Sequence, residues 1–79
     1  MRVVKELVKD EVKVSVFSWT NKYLIKFELG PLEQTFKLSE MDVLEESELE
    51  AFWNGDFFSA VVGRFEEMGK TFRAQVENL

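Results

Sequence analysis

Val12-Lys13-Val14-Ser15-Val16-Phe17-Ser18-Trp19 and Tyr23-Leu24-Ile25-Lys26-Phe27-Glu28-Leu29 are two alternating runs joined by Thr20-Asn21-Lys22. Laid antiparallel with Thr20-Asn21 as a two-residue loop, they put every apolar residue of one alternation opposite an apolar residue of the other. That match fixes a β-hairpin and its register. Val16 then faces Ile25, Val14 faces Phe27, Val12 faces Leu29 and Ser18 faces Tyr23, on a nearly all-apolar side that should be the core face. The reverse side carries Lys13 opposite Glu28, Ser15 opposite Lys26, Phe17 opposite Leu24 and Trp19 opposite Lys22. A slip of one residue would mix the two sets.

Working outward, Gly30-Pro31 marks the next turn, and Gln34-Thr35-Phe36-Lys37-Leu38 alternates again, with Phe36 and Leu38 in phase to join Ile25 and Phe27. Residues 2–9 fit either one face of a short helix or an edge strand. The strand is the preferred reading. Lys9-Asp10 would supply its turn, Leu7 would meet Val12, and Glu6, Lys13 and Glu28 would form a charge ladder across the sheet.

After Leu38 the period changes. Ser47-Glu48-Leu49-Glu50 has the capping-box pattern, which predicts a short helix presenting Leu49, Phe52 and Trp53 on one side and stopping at Asn54-Gly55. Asp56 can cap a second helix. Along it Phe58, Val61, Val62, Phe65, Met68, Phe72, Val76 and Leu79 recur at spacings of three and four, a stripe that should cover the core face. Glu66 with Lys70 and Arg73 with Glu77 mark its solvated side. The reading is α+β: one domain over residues 1–79, an antiparallel meander of three or four strands followed by a short helix and a long C-terminal helix on one sheet face.

Composition narrows the function. Seventy-nine residues sit near the size at which a single core supplies only about 3–5 kcal/mol. An apolar content of 46%, with eight Phe and two Trp, nevertheless argues for a folded core rather than disorder. Residues 1–38 hold seven Lys/Arg against five Asp/Glu, whereas residues 39–79 hold three against ten, so the net charge of −5 belongs to the second half. An acidic chain is poorly suited to unselective duplex binding, which is driven by phosphate neutralisation. Met1-Arg2-Val3-Val4-Lys5-Glu6 lacks an apolar run of signal-peptide length, and no stretch approaches the roughly 20 residues of a membrane span. The chain is expected in the cytoplasm, away from membranes.

With no His and no Cys, the commonest general base, thiol nucleophile and metal ligands are missing. The acids from Glu40 to Glu50 match no paired-carboxylate geometry, and the segment has neither the Gly nor the oxygen-ligand spacing of a calcium loop. No enzyme, cofactor, metal site or small-molecule substrate is expected. What remains is the reverse face of the sheet, where Phe17, Trp19 and Leu24 form an apolar cluster edged by Lys13, Lys22, Lys26 and Lys37. Contiguous exposed apolar patches mark contact sites, so the leading expectation is a protein-interaction module, most simply a homodimer joined through this face. Single-stranded nucleic acid, stacked on Phe17 and Trp19 with lysines reaching phosphates, is the weaker alternative. The competing structural expectation is that Phe52 and Trp53, or the N-terminal segment, fold over part of the cluster.

The segments Trp19-Thr20-Asn21-Lys22-Tyr23-Leu24-Ile25-Lys26-Phe27, Leu32-Glu33-Gln34-Thr35-Phe36-Lys37 and Arg64-Phe65-Glu66-Glu67-Met68 resemble a group of small uncharacterised bacterial proteins of about this length. The resemblance implies a cytoplasmic bacterial origin and carries no activity, ligand or site.

Overall fold

Two-residue loops connect all the strands. Asp10-Glu11 and Thr20-Asn21 have φ of 50°, 70°, 48° and 62°, and Gly30 has φ 59° ahead of Pro31. Positive φ at both central positions, or a Gly at the first, gives the primed turns whose twist matches that of paired strands. The computed structural model describes residues 1–79. Its strands β1 (Arg2–Lys9), β2 (Val12–Trp19), β3 (Lys22–Leu29) and β4 (Leu32–Ser39) form one antiparallel sheet in the order β1-β2-β3-β4. The chain then makes a 3-10 turn (Glu40–Asp42), a longer 3-10 segment (Glu46–Phe52) and the helix α1 (Asp56–Glu77). The fold is α+β, with a four-stranded meander.

The central register is the one the alternation requires: Val14 pairs with Phe27, Val16 with Ile25, Phe17 with Leu24 and Ser18 with Tyr23. Strand β4 continues it, with Ile25 opposite Phe36 and Tyr23 opposite Leu38. Val12, Val14, Val16, Ile25 and Phe27 are almost completely buried, under Leu49, Trp53, Phe58, Val61 and Phe65. Phe27 sits at the centre of an aromatic cluster, with the Phe36, Phe57 and Phe58 rings 6.0, 6.0 and 6.2 Å away. Opposite it on β4 stands Gln34, whose Nε2 donates to the Val61 carbonyl at 2.9 Å and ties sheet to helix.

The first strand corrects the expected pairing. Its loop is Asp10-Glu11, not Lys9-Asp10, so Leu7 lies opposite Val14 and Glu6 opposite Ser15. Moving a loop by one residue moves the register by two, which keeps every side chain on its face. Leu7 packs against the core beside Val14, and the ladder Glu6, Lys13, Glu28 does not form because Lys13 stands between Val8 and Glu28. The same shift takes Lys9 out of the loop and into the strand, opposite Val12 on the core side. There its Nζ donates to the Trp53 carbonyl at 2.7 Å and to Asn54 Oδ1 at 3.2 Å, and lies 5.2 Å from the Phe58 ring centre.

The helical segments also depart from the expected caps. The short segment is 3-10 and begins two residues early, because the Glu48 carboxylate accepts from the N–H groups of Leu44 and Glu45 at 2.6 and 2.9 Å. Ser47 instead donates to Glu45 at 3.4 Å. Gly55, not Asp56, is the N-cap of α1, and its φ of 156° and ψ of −152° suit only Gly; Asp56 is the first helical residue, where its charge opposes the helix dipole favourably.

Phe27→Ala should cost about 3–5 kcal/mol, enough largely to unfold so small a domain, whereas Trp19→Ala on the other face should cost far less. Urea midpoints will check the pair, and the reverse order would mean that the faces are exchanged. Glu11 holds a positive φ that Gly adopts without strain. Glu11→Gly should therefore raise stability by about 1 kcal/mol, read in the same titration.

Candidate functional site: the open face of the sheet

Helix α1 and the 3-10 segment Glu46–Phe52 lie against one side of the sheet, the Glu40–Asp42 turn is bonded to the Thr20-Asn21 loop through Glu40 N–H and the Asn21 carbonyl, and no element covers the other side. Cross-strand pairing sorts that outer face into rows. One runs Val3, Phe17, Leu24, Lys37; a second runs Trp19, Lys22, Ser39; a third runs Glu6, Ser15, Lys26, Thr35; a fourth runs Val8, Lys13, Glu28, Glu33. All seven residues singled out from the sequence, Phe17, Trp19, Leu24, Lys13, Lys22, Lys26 and Lys37, share this face.

The apolar cluster is open to solvent. Phe17 and Leu24 are half-buried by their neighbours in the sheet, and Trp19 is 47% exposed. Phe52 and Trp53 do not fold over it, since both pack into the core on the opposite side. The N-terminal segment does not cover it either but enlarges it. A bulge at Val4 breaks the regular pairing between Val3 and Lys5, so Val3 comes opposite Phe17 while Val4 turns to the core. Val3 is 54% exposed, and with Met1 it extends the patch beyond the residues that hairpin alternation could identify. Met1, Phe17, Leu24, Lys26, Glu33 and Thr35 line a shallow depression of about 300 Å³.

The lysines differ in their freedom. The Lys22 ammonium lies 4.9 Å from the Trp19 ring centre, a cation–π contact that already occupies one face of the indole. Lys26 is shared between Glu28 at 3.9 Å and Glu33 at 3.4 Å. Lys13 and Lys37 stand exposed at the margins. The face is thus an apolar centre in a rim of mixed charge. Small Ser15, between Glu6 and Lys26, is only 2% exposed and belongs to the floor of the face.

Elsewhere the acids from Glu40 to Asp56 are spread along exposed turns, and no three carboxylates converge on a point that could hold a metal ion. No helix is long and apolar enough to cross a membrane. No protein-family model matches the chain, and neither a curated protein nor a solved structure matches it at a significant level. Geometry therefore carries the functional reading.

The two tryptophans report on the site directly, because Trp19 is 47% exposed and Trp53 only 5%. In dilute protein, iodide should quench a large part of the emission, and in Trp19→Phe the remaining emission should be nearly insensitive to it. Equal quenching of parent and variant would place Trp53 outside the core.

Proposed function

We propose that the protein is a non-enzymatic interaction module that docks a protein on the open face of its sheet, in the simplest case a second copy of the chain. The observation that carries this reading is the uncovered apolar band of Val3, Phe17, Leu24 and Trp19 on a face whose other side chains are polar except Val8. Burial of such a band is the main favourable term in association, at about 25 cal/mol per Å² before the costs of docking. Four lysines and three glutamates around it allow a copy turned by a two-fold axis to meet opposite charge at the rim.

Stacking of single-stranded nucleic acid on the same face draws less support. Lys22 competes for the Trp19 ring, Lys26 has two acidic partners, and the molecule as a whole carries −5. Binding of a mixed-sequence oligonucleotide at low salt is expected to show no saturation below about 100 μM.

Docking of a second copy predicts a change confined to one indole. On raising the protein from about 10 μM to about 1 mM, a range that spans weak and moderate association, the Trp19 indole N–H resonance should shift while that of Trp53 stays in place. The Trp19 shift should disappear in Leu24→Lys. A Trp19 resonance that does not move with concentration would reject the copy as occupant, and saturable oligonucleotide binding lost in Trp19→Ala would favour the stacking reading.

A further inference from the structure

The sheet has two edges, and they differ. At β1 the bulge at Val4 interrupts the strand, a device that blunts an edge against further pairing. Strand β4 is regular along its whole length, from Leu32 opposite Leu29 to Ser39 opposite Lys22. The two-residue Gly30-Pro31 loop closes on the hydrogen-bonded pair Leu29 and Leu32, so the even-numbered residues of β4 bond to β3. Glu40 keeps this phase, its N–H donating to the Asn21 carbonyl at 3.0 Å. The N–H and C=O groups of Glu33, Thr35 and Lys37 therefore point away from the sheet, where no strand meets them. The charges beside them are poorly matched within one copy. Glu33 stands directly opposite Glu28, with only Lys26 between them at 3.4 and 3.9 Å, and Lys37 stands opposite Leu24 with no acidic partner.

We propose that β4 pairs antiparallel with β4 of a second copy, about a two-fold axis normal to the sheet at Thr35, so that the two sheets become one. In that register Thr35 faces Thr35 of the copy, Glu33 faces Lys37 of the copy, and Lys37 faces its Glu33. These are the positions whose backbone groups point outward, so each pair exchanges two N–H···O bonds, about six in all. An axis normal to the sheet keeps outer face with outer face, and both members of each charge pair lie on it. Glu33 gains an opposite charge on the side away from Glu28, Lys37 gains its only acidic partner, and facing threonines are themselves a favourable pair. On the core side the register sets Leu32 against Leu38 of the copy and Gln34 against its Phe36. Pro31, with no N–H to offer, ends the pairing. Moving the axis by one residue, to Gln34 or Phe36, would keep the hydrogen bonds but set Glu33 opposite Thr35 or Ser39 and lose both charge pairs. Charge thus selects the register and, through it, a second copy as occupant.

Helix α1 runs along β4 in the opposite direction: Phe57 packs on Phe36, the Val61 carbonyl accepts from Gln34, and Gly69 touches Leu32. Between the first two contacts, level with Thr35, its exposed residues are Ser59 and Ala60, small side chains where the helix of the copy comes nearest. Beyond Leu32 the helix outruns the sheet, its 22 residues spanning about 33 Å against about 26 Å for an eight-residue strand. There Phe72, Val76 and Leu79 are 47%, 48% and 96% exposed, which corrects the expectation that the whole stripe covers the core. They take no part in the edge pairing.

The pairing leaves Phe17, Trp19 and Leu24 uncovered, so it stands or falls separately from docking on the open face. Amide hydrogen exchange resolved by residue, at about 50 μM and about 1 mM protein, reads it directly. The N–H groups of Glu33, Thr35 and Lys37 should exchange several-fold more slowly at the higher concentration, an effect that docking on the open face cannot produce. Thr35→Pro removes the central outward donor without touching the ladder to β3, and should abolish the slowing at Glu33 and Lys37. Glu33→Lys and Lys37→Glu should each weaken the pair about tenfold, because the two-fold repeats every altered contact, and the double swap should restore it. These charge variants decide the matter even if Thr35→Pro folds poorly. Exchange at the three amides that is independent of concentration, single reversals without effect, or a double swap that fails to restore protection would each overturn the proposal. Movement of the Trp19 resonance with concentration in the Glu33→Lys variant judges the open face on its own, so the failure of one surface is not mistaken for failure of the other.

Discussion

A loop of two residues leaves adjoining strands no freedom of register, and three such loops in succession govern this molecule. Once Asp10-Glu11, Thr20-Asn21 and Gly30-Pro31 are the loops, each cross-strand pair from Lys5 to Ser39 is determined, and so is the face on which each side chain lies; only beyond the bulge at Val4 does the register change. Val14, Phe27 and Gln34 fall into one row on the core side, and Phe17, Leu24 and Lys37 into one row on the other. The turns accept strain for this. Asp10, Glu11, Thr20 and Asn21 all hold φ values that L residues rarely adopt, and the closely packed rows around Val14 and Phe27 over-determine them.

A sheet so constrained has two faces, and the chain supplies only one layer to cover them. The 3-10 segment and α1 occupy the core side, held by the Lys9 and Gln34 bonds to backbone carbonyls at Trp53 and Val61. Both bonds fall around the start of α1: Lys9 at the junction between the 3-10 segment and α1, and Gln34 a turn and a half into α1. Nothing holds the helix beyond Gly69. Its last turns project from the sheet for the same reason that the outer face is bare: the layer has one contact surface, and the sheet is shorter than the helix.

The sequence makes the hairpin legible because alternation and loop length agree there, so the paired residues from Lys13 to Glu28 can be named in advance. Residues 2–9 are less constrained, since Leu7 can meet Val12 or Val14 with the same face inward. The observed pairing goes with the Asp10-Glu11 turn and with contacts of Lys9 to Trp53 and Asn54, far along the chain. The cap at Ser47 misleads for a related reason. A capping motif states what a side chain can do, and Glu48 reaches back to Leu44 and Glu45 first. The seven residues of the candidate face were readable because strand parity alone gathers them. Helical periodicity is weaker evidence, since it shows which side of α1 is apolar and leaves open where the sheet ends beneath it. Phe72 and Val76 therefore read as core although each is about half exposed.

The bulge at Val4 shows how one extra residue shapes the candidate face without belonging to it. Continued without interruption, the pairing of Leu7 with Val14 and Lys5 with Val16 would set Val4 opposite Phe17 and Arg2 opposite Trp19. A guanidinium would then stand in the apolar band. The extra residue instead gives the band Val3, turns Val4 to the core and carries Arg2 to the other side of the sheet, where its Nη2 meets Glu46 at 2.9 Å. An exposed pair of this kind contributes little stability. Its consequence is positional: the positive charge leaves the neighbourhood of Trp19, Lys22 remains the one cation against the indole, and the middle of the open face stays apolar.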